Sequence, residues 1–138
     1  MSTNKNQYDI SQKTDYLTRN MFLDKSGVVT MQRFDKVKYP KIQQYEKIQR
    51  GFFWVPEEVD ITKDRQDMKT ASEAVEHMFT SNILRQTVLD SLQGKAPMQL
   101  FGPVVSIPEL ESLLSAWSFF ETNIHSNSYS HIIRGAYA

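Results

Sequence analysis

Apolar residues recur at three- and four-residue steps along two long stretches of this 138-residue chain. In the first, Ala74, Val75, Met78, Phe79, Ile83, Val88 and Leu89 carry helical periodicity as far as Gly94, and Thr70 with Glu73 forms a capping-box pattern ahead of them. In the second, Leu110, Leu114, Trp117, Glu121, Ile124, His125 and Ile132 share a face that runs on to Gly135, which suits a C-terminal cap. Ser106 and Glu109 repeat the capping box there, with Pro108 inside the first turn. Gly94, Pro97, Gly102 and Pro103 mark a loop between the two helices. The second helix has roughly 28 residues and a length of about 42 Å. No later segment covers its remaining faces, so the chain is expected to be cut short.

The first half of the chain is patterned more weakly. Residues 1 to 20 are rich in Asn, Gln, Ser, Thr, Lys and Asp and are expected to form a flexible arm, with Met21 to Leu23 docking it. Pro40 suits the first residue of a helix running to about Arg50, with Ile42, Tyr45 and Ile48 as its apolar stripe. Gly51 then interrupts before Phe52, Phe53 and Trp54, an aromatic cluster expected to be a packing hub. The stretch VPEEVDITKDRQDM, with Pro56 and scattered charge, reads as a surface connector.

Composition removes several function classes. Sixteen basic residues balance sixteen acidic ones, so no nucleic-acid partner is implied, although tyrosines and lysines interleave between Lys36 and Arg50. Zero cysteines exclude disulfides, thiolate metal sites and cysteine nucleophiles, and fit a reducing, cytoplasmic compartment. No apolar run reaches the roughly 20 residues of a membrane span, and the first 20 residues lack the basic start and apolar core of a secretion signal.

Chemistry concentrates on the two long helices. Asp90 follows Ile83 by seven residues and Gln86 by four, on the stripe that Phe79 and Ile83 bury. Trp117, Glu121, His125 and Tyr129 follow one another at four-residue steps, so a second carboxylate, an imidazole and a phenol share one face. Taken singly, His125 reads as a satisfied core histidine, Glu121 as a solvated residue, Asp90 as an exposed acid near a helix end and Tyr129 as core. Together, two carboxylates and a histidine on converging apolar faces call for a cation or a dense hydrogen-bond network, and a metal offers the stronger compensation. Ser126, Ser128, Ser130 and His131 point different ways around the helix and suit capping or solvent better than nucleophilic chemistry. The residues themselves lead to a carboxylate and histidine half-site.

Four strings carry more. GFFWVPEEVDITKDR, FTSNILRQTVLDSLQGKAP, VVSIPELES and ETNIHSNSYSHIIR, in this order and spacing, resemble the small, radical-generating subunit of class I ribonucleotide reductase. The resemblance covers about residues 21 to 138 and only the N-terminal part of such a subunit. It implies an all-α, ferritin-like helical bundle completed by a complementary chain, with residues 21–138 as its N-terminal portion. Its cofactor would be a di-metal centre, commonly two iron ions, that reacts with oxygen and leaves a tyrosyl radical; oxygen and nitrogen ligands suit manganese equally. By motif, Asp90 resembles the first terminal carboxylate ligand, Glu121 the bridging carboxylate, His125 the imidazole ligand and Tyr129 the radical site. Trp54 resembles the residue that relays electrons and lies on the radical-transfer route, and Gln86 and Trp117 match neighbours of the ligands.

Two departures qualify the match. The family spaces its glutamate and histidine as Glu-x-x-His, whereas one additional residue separates Glu121 from His125. A one-residue π-bulge near Asn123 is the expected means of absorbing it. Family members also continue beyond the point matching Ala138 into helices that supply two more glutamates, a second histidine and the tail that binds the large subunit. The partners implied are therefore a complementary C-terminal fragment, a second copy of the small subunit and the large catalytic subunit, with no nucleic acid and no membrane. The chain is expected to be a split-gene product or a fragment, to serve deoxyribonucleotide synthesis and to be inactive alone. A ferritin-like di-metal oxidase without radical export, and a scaffold that has lost the chemistry, are the alternatives.

Overall fold

The computed structural model describes residues 15–137, whose regular structure is all helical; no strand occurs among them, and one antiparallel bridge joins Phe22 to Val105. The helices are α1 (Pro40–Gly51), α2 (Thr62–Thr70), α3 (Glu73–Ala96), α4 (Pro108–Phe119) and α5 (Ser126–Tyr137). Two π-helical segments, Pro97–Phe101 and Phe120–His125, and two short 3-10 turns, Tyr16–Thr18 and Pro56–Glu58, complete the list for these residues. They group into two compact units, one made of the described residues up to Gly51 with Pro97–Ala116, the other of Phe52–Ala96 with Trp117 onward.

The first unit is built on Val105, Ile107, Leu110 and Leu114, against which Met21, Val29, Tyr39, Ile42 and Met98 pack. Residues 1–14 of the expected flexible arm lie outside the described residues; its end is packed, with Tyr16 fully buried and Arg19 nearly so. The Tyr16 hydroxyl accepts from the backbone N–H groups of Thr30 and Met31 at 3.2 and 3.1 Å, and the Arg19 guanidinium lies 4.6 Å over the Tyr16 ring. Met21 to Leu23 dock as expected, Leu23 N–H donating to Val104 O at 2.7 Å and Ser106 N–H to Met21 O at 3.0 Å.

Helix α1 begins at Pro40 as predicted, but its buried face is different. Ile42 meets the core and Glu46, one turn on, is buried with its carboxylate 2.5 Å from Arg50 Nε, while Tyr45 and Ile48 are exposed. The pairing at i,i+4 lets an acid occupy the inner row, which the apolar pattern alone could not anticipate. The capping box at Ser106 and Glu109 also fails to form. Glu109, buried in the first turn of α4, turns its Oε1 to the N–H groups of Lys38 and Tyr39, at 3.0 and 2.8 Å, just ahead of α1. A carboxylate is well placed where two helices begin, because both macrodipoles favour negative charge there.

In the second unit α3 packs against the Phe120–His125 segment and α5, and α2 packs against α5. Helix α2 lies where a connector was expected; the Asp60 side chain accepts from Thr62 N–H at 2.9 Å and so starts it. The cap of α3 is shifted two residues from the predicted box: Ser72 Oγ accepts from Val75 N–H, and Thr70 instead closes α2 by donating to Asp67 O. The aromatic hub does not form, since Phe52 and Phe53 are exposed and Trp54 is half-buried. Gly94 and Gly135 do not end helices either. Each lies inside one at a close approach: a Cβ on Gly135 would overlap Ile61 Cδ1, and one on Gly94 would overlap Thr122 Cγ2. No helix among the described residues is long and apolar enough to cross a membrane.

Glu109→Ala removes the acceptor of two backbone donors and is expected to lower stability by about 2 kcal/mol, with Glu109→Gln milder because an oxygen remains. Urea unfolding followed by circular dichroism checks this, and an unchanged midpoint would show that water replaces the carboxylate.

Candidate metal centre

The half-buried row on α3 runs through Phe79, Ile83, Thr87, Asp90 and Gly94, at three- and four-residue steps. That row delivers the Asp90 carboxylate to the side of α3 that faces the segment Phe120–His125 and α5. Asn123, where a bulge was expected, lies inside this π-helical segment: the Ser126 N–H reaches back five residues to the Glu121 carbonyl, and Ser126 Oγ donates to the same oxygen at 2.9 Å. On a regular α-helix a four-residue step leads by about 40° and a three-residue step lags by about 60°. A wider turn of about 4.4 residues makes the four-residue step lag by about 33°, restoring the sense of lean that Glu-x-x-His has. The additional residue is absorbed without turning His125 away from Glu121.

The result is a compact group. His125 Nδ1 lies 3.0 Å from Glu121 Oε2 and 4.0 Å from Asp90 Oδ2, and one ligand atom from each residue falls within 4.8 Å of the others. The side chains of Asp90 and Glu121 are 17% and 14% exposed, so both carboxylates are largely withdrawn from water. Among the described residues their only ion-pair partner is His125, and neither Lys nor Arg offsets them. Donors about 2.1 Å from a shared octahedral cation lie about 3.0 Å apart when adjacent and about 4.2 Å when opposite. The donor types fit a divalent metal held by Asp90, Glu121 and His125, and the two separations from His125, 3.0 and 4.0 Å, lie within that span.

Tyr129 joins the group through its hydroxyl, which donates to Asp90 Oδ2 at 2.7 Å. Burial, first, and then the hydrogen bond and charge of Asp90 with a smaller contribution from Glu121 push the phenol up to about 12. Trp117 Nε1 donates to Glu121 Oε1 at 3.0 Å, orienting the carboxylate whose other oxygen meets His125. Five of the seven residues singled out in the sequence are therefore linked. The other two, Gln86, exposed on α3, and Trp54, half-buried, take no part in these hydrogen bonds. Sequence reasoning missed Phe120, buried with its ring 6.5 Å from the imidazole of His125, and the contact of Gly94 with Thr122. Neither has a spacing signal of its own, since Phe120 resembles any core aromatic and Gly94 any helix stop.

Comparison with known proteins adds the ancestry of this group. Residues 32–136 match the family model "Ribonucleotide reductase, small chain". The chain belongs to this family. Among its relatives, the ribonucleoside-diphosphate reductase subunit beta of Buchnera aphidicola (Acyrthosiphon pisum strain) is 45% identical over 123 residues, which are 89% of this chain and 32% of the relative. The subunit beta of Haemophilus influenzae is 46% identical over 122 residues, 88% of this chain and 32% of the relative. That of Enterobacteria phage T4 is 36% identical over 123 residues, 89% and 31%. The chain thus spans about a third of the length of these relatives. Its all-helical structure agrees with the ferritin-like fold expected of a ribonucleotide reductase small chain.

The raised phenol predicts a titration. Because the native pKa of Tyr129 exceeds that of the unfolded chain, this group's contribution to stability is complete below about pH 10 and is lost between about pH 10 and 12. Absorbance at 295 nm should show one late-titrating tyrosine that is absent in Tyr129→Phe. In Asp90→Asn it should titrate earlier but still late, because burial, the larger cause, remains.

Proposed function

We propose that this chain supplies part of a di-metal site and the oxidisable tyrosine of a ribonucleoside-diphosphate reductase small subunit, in the service of deoxyribonucleotide synthesis. The observation that carries the reading is the convergence of Asp90, Glu121 and His125, with ligand atoms within 4.8 Å, on the carboxylate to which Tyr129 donates at 2.7 Å. A carboxylate and imidazole set of this kind suits iron or manganese, and such a centre, when bound, supplies the oxidising power of activated oxygen.

The chain's own residues prepare for that chemistry. Asp90, Glu121 and His125 present oxygen and nitrogen donors from two helical elements, so folding of this chain brings its share of the site together. Trp117 holds one oxygen of Glu121 and leaves the other toward His125. When Tyr129 gives up an electron, its phenolic proton has a carboxylate acceptor along an existing hydrogen bond, so charge separation in a poorly solvated place is avoided. The raised pKa keeps the phenol protonated until then. Trp54 takes the role of electron relay toward the metals and of a station on the route to the large subunit, and Gln86 that of a neighbour to the ligands.

Three protein donors leave a two-metal site incomplete. The remaining ligands are assigned to a complementary small-subunit segment, and the partners to a second small subunit and the large catalytic subunit.

The test is reconstitution of the chain with a polypeptide carrying the rest of a small subunit, ferrous iron or manganese, and oxygen. Metal content above that of either piece alone and a tyrosyl paramagnetic signal lost in Tyr129→Phe are expected. Bound metal without the signal would favour an oxidase without radical export, and no bound metal would favour a scaffold.

A further inference from the structure

Gly94 stands one helical turn beyond Asp90 on α3, opposite the residue that follows Glu121. It is a buried glycine near the end of the 24-residue α3, which runs on without a break into the π-helical Pro97–Phe101, and within a helix glycine costs about 1 kcal/mol relative to alanine. The backbone angles do not call for it, since α-helical values suit any residue other than proline. Space does. A Cβ at position 94 would overlap Thr122 Cγ2, approach the Thr122 backbone nitrogen to 3.1 Å and approach Glu121 Cβ to 3.3 Å.

Those three atoms belong to the π-helical turn that aims Glu121 and His125. Thr122 is itself held, its hydroxyl donating to Ser118 O at 2.6 Å, so its methyl has little freedom to swing away. Ordinary contact between carbon atoms is about 3.5 to 4.0 Å, so a methyl group here must push α3 and the π turn apart or rotate one of them. Either movement changes how far Asp90 stands from Glu121 and His125, because Asp90 lies four residues before the contact and Glu121 is part of it.

We propose that Gly94 is a positioning residue: its bare backbone, seated on Thr122, sets the separation of the Asp90 carboxylate from the Glu121 and His125 pair and so the geometry of the cation site. The inference rests on the reading of those three residues as ligands, but its structural half concerns only the chain. The Tyr129 to Asp90 hydrogen bond spans the same gap and reports the spacing without any metal.

The experiment compares the chain with Gly94→Ala, Thr122→Ser and the double variant. Thr122→Ser removes the Cγ2 methyl and keeps the hydroxyl bonded to Ser118. The first readout is the 13Cζ resonance of Tyr129 at one pH in metal-free protein, assigned by its absence in Tyr129→Phe. The second is manganese(II) affinity, from the paramagnetic signal of the free ion. Gly94→Ala is expected to keep its helical circular dichroism, to move the Tyr129 resonance toward that of a free phenol and to weaken manganese binding about tenfold or more. Adding Thr122→Ser should move both back toward native, incompletely because the added Cβ still lies 3.1 Å from the backbone nitrogen of residue 122 and 3.3 Å from Glu121 Cβ. If Gly94→Ala does not fold, the double variant decides alone: a folded protein supports the proposal, and an unfolded chain overturns it. A native resonance in folded Gly94→Ala, or a displaced one that Thr122→Ser does not move back toward native, also overturns it. Should the unaltered chain bind no manganese while the resonances behave as described, the positioning role stands, and the reading of the three residues as ligands is decided by metal content after reconstitution with the rest of a small subunit.

Discussion

The Glu121 carbonyl accepts from both the N–H and the hydroxyl of Ser126, and that pair of hydrogen bonds, spanning five residues, is what the candidate centre depends on. It holds one turn of helix open wide enough to take an additional residue. Without it the step from Glu121 to His125 would lead by about 40° instead of lagging, so the pair would lean the other way along the same face. With it, the carboxylate and the imidazole meet at 3.0 Å, and Trp117, one turn earlier, still reaches the carboxylate. A π turn is ordinarily a loss, since its hydrogen bonds are fewer for the residues it contains. Here the Ser126 hydroxyl supplies an additional bond at the widest point.

The second unit is organised to exploit that turn. Two glycines inside helices, Gly94 and Gly135, let α3 approach Thr122 and let α5 approach Ile61, where an added Cβ would overlap the side chain opposite. Close approach matters more here than in an ordinary core, because the groups to be joined are short. An aspartate on one helix can accept from a tyrosine on another, with a histidine 4.0 Å from the same oxygen, only if the backbones are near. The first unit shows the same economy. Buried acids there are met by specific partners, Glu109 by two backbone donors and Glu46 by Arg50, rather than left to solvent.

Exposure of Phe52, Phe53, Tyr45 and Ile48, and of the outward residues Val88, Leu89 and Leu92 of α3, fits a chain that matches about a third of its relatives' length. Apolar periodicity records every surface that a helix buries in its working assembly, so it overstates what one part of the assembly can bury by itself. The displaced caps have a different cause. Ser, Thr and Glu at capping spacing are interchangeable in pattern, and the winner is decided by which backbone donors lie nearby.

The sequence alone determined that the regular structure of the described residues is helical, where the two long helical stretches run, and that Asp90, Glu121, His125 and Tyr129 belong together. Those features are local or carried by recurring strings, since helical periodicity, four-residue spacing and motif order need no knowledge of distant contacts. It also determined that the Glu121 to His125 step had one residue too many for the family pattern. Only the tertiary structure decided that Gly94 is a seat for Thr122 and not a helix stop, that Glu109 serves the start of a different helix, and that Asp90 shares its oxygen with Tyr129. Each of these is a contact between residues far apart in the chain. Its energy depends on what fills the space opposite a side chain, and no pattern along one strand of sequence records that.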